Sequence, residues 1–196
     1  MTSKTSIRKD MRTRRRALSQ QEKSAAAYTL FTHFHKTKVF RNSRNIAMYL
    51  ANDGEIDLSP LIHKAWKLGK NVYLPALHKP GLERMTFLKY DLRTRLVNNR
   101  FGISEPPYSR RNTIRHKALD LVLMPLVAFD NKGNRLGMGG GYYDRTFAYL
   151  HTRTRWNKPK LIGTAYDFQQ VDSLPSDPWD VPLDGIATPS KLHNTN

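Results

Sequence analysis

Residues 133–145, Gly-Asn-Arg-Leu-Gly-Met-Gly-Gly-Gly-Tyr-Tyr-Asp-Arg, gather five of the chain's 11 glycines into one short stretch. Glycine loses more backbone freedom on ordering than any other residue, so such a cluster needs left-handed torsions or a close approach of main chain to a ligand. The apolar run from Leu121 to Pro125 precedes it and reads as a buried strand. Tyr143, Phe147 and Leu150 follow at i, i+4 and i+7, the spacing of one helix face. Strand, glycine loop and helix start aim free backbone N–H groups and a positive helix end at one point, which suits an anion. Arg135 and Arg145 bracket the loop and can add charge-assisted bonds to phosphate oxygens. Asp144 stands where a carboxylate can hold magnesium beside those phosphates. The stretch reads as a nucleotide phosphate cradle with its own metal ligand, against the plainer alternative of a glycine-rich surface turn. It is not a Walker A loop, because no Lys-Ser or Lys-Thr follows, and it breaks the dinucleotide pattern.

As a whole string, Arg-Leu-Gly-x-Gly-Gly-Gly-Tyr-Tyr-Asp-Arg resembles the signature of the 5-formyltetrahydrofolate cyclo-ligase family, also called 5,10-methenyltetrahydrofolate synthetases. The resemblance implies ATP- and Mg2+-dependent cyclisation of 5-formyltetrahydrofolate, with or without a polyglutamate tail, to 5,10-methenyltetrahydrofolate. ADP and phosphate are the other products. It further implies that Lys4 and Arg8 bind ATP, together with Arg135, Gly137, Met138, Gly139, Gly140, Gly141, Tyr142 and Tyr143. Leu50, Glu55, Met138 and Tyr142 would touch the folate. Asp144 and Asp180 would hold magnesium, and Arg145 with Asp144 would serve the chemistry. At the second metal position this chain has Trp179 where the family often has His or a small polar residue before the Asp. That departure keeps Asp184 as an alternative ligand. The matching elements run in family order over nearly the whole chain.

The residue types agree with these roles. Lys4 and Arg8 share a helix face by their i, i+4 spacing. Glu55 follows the strand-like Asn45–Ala51 and the turn Asn52-Asp53-Gly54, and in open α/β sheets ligands sit outside the carboxyl ends of strands. A carboxylate there suits the donor-rich face of a pterin; solvation of the turn by Glu55 and Asp57 is the plain alternative. The tract 172–184 carries four of the 16 acidic residues and three prolines, so it reads as either a cation site or a set of Asx turns. Glu105, beside Pro106 and Pro107, is expected to be structural.

Composition sets the frame. A chain of 196 residues is long enough for one substantial core, and a single domain over 1–196 is expected. No apolar run approaches the roughly 18 residues of a membrane span, and no secretory signal is visible. Zero cysteine excludes disulfides and thiol chemistry and fits the cytoplasm. The +17 net charge attracts polyanions. ATP and folate polyglutamates qualify, and so does RNA. A basic RNA-binding protein is therefore the rival reading, although no recognised nucleic-acid motif is present and only weak nonspecific RNA binding is expected of the enzyme. A kinase of another small molecule is a third. A monomer is expected.

The elements that must position these residues are legible. A basic helix over 4–18 gives way at the capping box Ser19-Gln-Gln-Glu22 to a second helix. A third helix is expected to be capped by Ser59, with Pro60 at its first position, and to end at Gly69. Asn71–Pro75, Met85–Tyr90, Leu121–Pro125, Leu161–Tyr166 and Gly185–Thr188 read as strands, the last of them closing the sheet. Strands alternating with helices argue for an α/β three-layer Rossmann-like sandwich with a largely parallel central sheet.

Overall fold

The computed structural model describes residues 3–77, 84–152 and 158–194. The elements run α1 (Lys4–Ala17), α2 (Gln20–Phe34), α3 (Lys38–Asn42), β1 (Asn45–Ala47), α4 (Ser59–Lys67), β2 (Asn71–Ala76), β3 (Thr86–Tyr90), β4 (Val97–Asn98), β5 (Ser104–Glu105) and β6 (Thr113–Ile114). They continue with β7 (Leu121–Pro125), β8 (Ala128–Phe129), β9 (Arg135–Leu136), α5 (Tyr142–Phe147), β10 (Lys160–Thr164), β11 (Gly185–Ala187) and β12 (Leu192–Asn194).

One 8-stranded sheet has the order β12-β11-β10-β7-β1-β2-β3-β6. Its centre, from β11 through β2, is parallel. The edges, β12 on one side and β3 with β6 on the other, run antiparallel. β7 lies at the centre because its side chains are apolar on both faces. Leu121 and Leu123 pack with Leu30, Phe34, Phe40, Leu61 and Ile62 of α2, α3 and α4. Val122 and Met124 pack with Phe147, Leu150, Leu161 and Val181 on the other face. Strands covered on both faces read as continuous apolar runs, which is how β7 announced itself.

Three local expectations change. β1 leaves the sheet after Ala47, with one further bond from Met48 N–H to the Tyr73 carbonyl (2.9 Å), because the chain must turn at Asp53-Gly54 (φ 50 and 74). Ser59 is not the cap of α4: Leu58 is, without a side-chain bond, and Asp57 accepts from the Ser59 N–H and Oγ at 2.9 and 2.7 Å. The sheet is closed by β12 rather than by β11. The capping box at Ser19 forms as read, with Ser19 Oγ accepting from Glu22 N–H (3.2 Å) and Ser19 N–H donating to Glu22 Oε2 (2.7 Å).

Gly163 in β10 is required by packing. A Cβ there would stand 2.5 Å from Leu126 Cδ2 and 2.9 Å from Leu183 Cδ1. Overpacking of this kind costs about 1–3 kcal/mol. Gly163→Ala is therefore expected to lower the thermal midpoint by roughly 2–4 °C per kcal/mol lost, which calorimetry would read. An unchanged midpoint would show that Leu126 yields freely.

Candidate active site

The site lies at the carboxyl ends of β1, β7 and β10, where an open α/β sheet places its ligands. After β7 the chain makes the β8–β9 hairpin, then the glycine loop, then α5. α1 crosses this end of the sheet, with Ile7 and Met11 packed on Val127, Ala128 and Leu136. Its start is capped by Ser3, which accepts from Ser6 N–H at 3.1 Å. The apolar positions 7 and 11 hold the helix down and thereby send Lys4 and Arg8 toward the loops.

Both reach them. Arg8 Nε donates to the Gly137 carbonyl at 2.9 Å, with its guanidinium beside Gly139. Lys4 Nζ pairs with Asp177 Oδ2 at 2.6 Å, which ties α1 to the acidic tract. Gly139 and Gly141 take φ of 99° and 60°, the left-handed region that the glycine clustering anticipated. Met138 is exposed at the tip, and the Tyr142 hydroxyl accepts from Arg100 at 3.3 Å.

The two arginines that bracket the loop turn inward. Arg135, almost wholly buried, donates to the Val181 carbonyl and pairs with Asp144. Arg145 donates to the Gly140 carbonyl at 2.5 Å and lies over the Tyr142 ring, 5.3 Å from its centroid. In this state both brace the loop instead of standing open to an anion.

Asp144 Oδ1 also accepts from Val181 N–H at 3.1 Å. The residue that follows Asp180 is thus bound to the Asp144 carboxylate. Asp180 Oδ2 accepts from Asp177 N–H at 2.8 Å. Asp184, the alternative ligand, is engaged with Lys160 Nζ at 2.8 Å and Leu161 N–H at 2.9 Å, holding β10 to the chain entering β11. Among the described residues no group of three or more His, Asp or Glu forms a metal cage. Magnesium asks the protein for only one or two carboxylates, since it usually keeps waters and takes substrate phosphates as its other ligands, so Asp144 or Asp180 suits it without a cage.

Glu55 stands across from the loop. Its Oε2 accepts from Asn52 N–H at 3.1 Å. Burial pushes its carboxyl from the usual 4.5 up to about 7, with the Asn52 bond and the Arg15 charge pulling the other way. The field is mutual: burial and then the Glu55 charge push the hydroxyls of Tyr49 and Tyr143 up. The Tyr166 hydroxyl reaches the Glu55 carbonyl at 3.5 Å. Leu50 lies half-buried on the core beside this turn. Glu105 is buried and structural as expected, accepting from Leu77 N–H and Asn99 Nδ2, both at 3.0 Å.

The sequence reading missed Asp177, Asp53, Arg15 and Arg100. Asp177 was visible only as one acid among four, and nothing local marks its pairing with Lys4. Arg12, Arg15 and Arg16 did carry a signal: their 3,4 spacing puts them on one helix face, and all three converge on Asp53.

The comparisons with known proteins agree with one another. Residues 1–189 match the model of the 5-formyltetrahydrofolate cyclo-ligase family. The 5-formyltetrahydrofolate cyclo-ligase of Escherichia coli (strain K12) is 40% identical over 183 residues, covering 93% of this chain and 98% of that protein. The Haemophilus influenzae protein of the same name is 42% identical over 179 residues, covering 90% and 92%. The NMR structure of Aquifex aeolicus 5,10-methenyltetrahydrofolate synthetase superposes with a TM-score of 0.81 at 30% identity, covering 98% of this chain and 92% of that one.

Proposed function

Since the chain belongs to the 5-formyltetrahydrofolate cyclo-ligase family, we propose that it converts 5-formyltetrahydrofolate to 5,10-methenyltetrahydrofolate at the expense of ATP. The N-formyl group is amide-like, a poor electrophile whose oxygen leaves poorly. Transfer of the γ-phosphoryl group to that oxygen releases ADP and makes the oxygen a leaving group; the N10 amine of the same molecule attacks the formyl carbon, the C–O bond breaks to release phosphate, and the phosphate carries away the N10 proton. Ring closure gains from the proximity of two groups on one molecule. Such chemistry asks the protein for position and charge rather than a nucleophile.

The observation that best supports this reading is the convergence of Lys4 and Arg8 on the acidic tract and the glycine loop, across from the half-buried Glu55. Lys4, Arg8 and the backbone of Gly137 to Gly141 hold the triphosphate. Asp144 and Asp180 hold Mg2+, which when bound neutralises charge on the phosphoryl group in transfer. Glu55, in its ionised form, accepts from the pterin N–H groups, with Leu50, Met138 and Tyr142 against the rest of the folate. A monomeric protein in the cytoplasm is part of the proposal. Among the described residues no helix is long and apolar enough to cross a membrane.

The test is an absorbance assay for the conjugated methenyl product with 5-formyltetrahydrofolate, ATP and magnesium, each omitted in turn. Product only with all three present is the expected result. Folded protein that binds ATP without making product would point to another phosphoryl transfer. Salt-sensitive RNA binding without ATP binding would favour the nucleic-acid reading.

Arg8 supplies a graded check. Losing one charge-assisted contact costs about 1.5–3 kcal/mol, so Arg8→Ala is expected to raise KM for ATP roughly 10- to 100-fold. Its bond to Gly137 is exposed, so the fold should be little disturbed. Steady-state kinetics at varied ATP would read it; an unchanged KM would remove Arg8 from the nucleotide site.

A further inference from the structure

Three guanidinium groups of α1 meet on one carboxylate. Arg12 Nε and Arg16 Nε donate to Asp53 at 2.7 and 2.5 Å, and Arg15 Nη2 at 3.2 Å. Arg15 is fully buried, and its Nε has no partner among the described residues. Asp53 takes a left-handed φ of 50° and Gly54 one of 74°, and a Cβ on Gly54 would stand 2.9 Å from the Arg15 carbonyl oxygen. The turn is therefore pressed against the helix backbone and held by charge. Its next residue is Glu55.

α1 is consequently tethered at both ends outside its apolar face, with further bonds from Arg14 to the Phe168 carbonyl and from Arg15 to the Leu126 carbonyl, both at 3.4 Å. Lys4–Asp177 and Arg8–Gly137 lie at one end, and the arginine cluster on Asp53 lies at the other. We propose that Asp53 is a positioning residue that locks α1 to the Glu55 turn, so that the nucleotide and folate subsites form as one unit and each ligand raises the affinity for the other. The proposal rests on the ATP and folate subsites assigned above. The physical logic is linkage: a ligand that seats α1 also seats the turn, and the gain must be reciprocal. Asp53 is the carboxylate that offsets three cations, so neutralising it frees the C-terminal half of α1 from the turn while leaving Lys4 and Arg8 in place.

The experiment measures binding of 5-formyltetrahydrofolate by titration calorimetry with and without a non-hydrolysable ATP analogue and magnesium. Couplings between sites are typically about 5- to 150-fold, and the wild type is expected to fall in that range. In Asp53→Asn each ligand alone should bind within about threefold of wild type, while the coupling drops toward one. Asp53→Glu, which keeps the charge, should restore part of it. Should Asp53→Asn not fold, Arg16→Gln, which weakens the same tether from its exposed side, should lower the coupling in the same direction.

A second readout separates positioning from mere support of the fold. Glu55 faces Asp53 in its own turn, Arg15 of α1, Tyr143 of α5, and Tyr49 and Tyr166 at the sheet end. Removing the Asp53 charge should shift the acid limb of kcat/KM for the folate to lower pH. Coupling retained in both Asp53→Asn and Arg16→Gln, or no coupling in the wild type, would overturn the proposal. Wild type that binds neither ligand would instead sink the functional reading on which it stands.

Discussion

Asp144→Asn is expected to lower turnover by about 10²- to 10³-fold, the range seen when one preorganised electrostatic contact to a transition state is removed. The residual rate should need far more magnesium. Asp144 does two things, and the variant has to be read with both in mind. Its carboxylate pairs with the nearly buried Arg135 and accepts from Val181 N–H, so it also joins the glycine loop to the acidic tract. An asparagine keeps an acceptor oxygen but leaves Arg135 without its counter-charge. A loss of about 1–3 kcal/mol of stability is therefore expected beside the kinetic loss. Adding Arg135→Met should recover stability by removing the uncompensated charge, and should not recover turnover. Kinetics at varied magnesium, with thermal midpoints for the single and double variants, would decide. Normal turnover in a stable Asp144→Asn protein would remove Asp144 from the metal site.

Glu55→Gln carries the second large effect, and its two consequences have opposite sign. Burial raises the Glu55 carboxyl from 4.5 to about 7, so in the folded protein the neutral form is favoured. A raised carboxyl contributes its stability below the unfolded value and loses it as pH climbs through the folded one. The wild type should therefore lose stability between about pH 4.5 and 7 on account of this residue. Glutamine abolishes that slope and should be more stable above pH 7, by roughly 1–3 kcal/mol after allowance for partial solvent access. Function moves the other way. The proposed pterin contact needs the ionised carboxylate, so kcat/KM for the folate, which reports the free enzyme's groups, is expected to rise with pH through about 7. Glu55→Gln should flatten that limb and lower kcat/KM by about 10²-fold or more, since a donor left without its charged acceptor costs some kcal/mol. Midpoints and kcat/KM measured from pH 5 to 9 test both halves. A variant that keeps the wild-type limb would place the titration elsewhere.

The same contrast runs through the whole molecule. Sequence alone determined what depends on short-range pattern. The apolar run at Leu121–Pro125 specified a central strand because a strand buried on both faces has no polar positions to show. Glycines at 139 and 141 specified left-handed torsions, and Ser19 with Glu22 specified a helix start, because backbone sterics and caps act within a few residues. The 133–145 string was specific enough to indicate the family that the comparisons show.

Tertiary structure decided everything that depends on which charges meet. Arg135 and Arg145 read as phosphate ligands from spacing, and only the fold shows that their guanidinium groups also bond to Asp144 and to the carbonyls of Val181 and Gly140. Asp180 was the expected ligand in the acidic tract, with Asp184 as its alternative. The parallel pairing of β10 with β11 commits Asp184 to Lys160 and Leu161, while Val181, the neighbour of Asp180, bonds to Asp144. From sequence 4–18 reads only as a basic helix, while three of its arginines close on Asp53, some forty residues away. Backbone preference is written locally in residue type. An ion pair is written only in the distance between two side chains, and folding sets that distance.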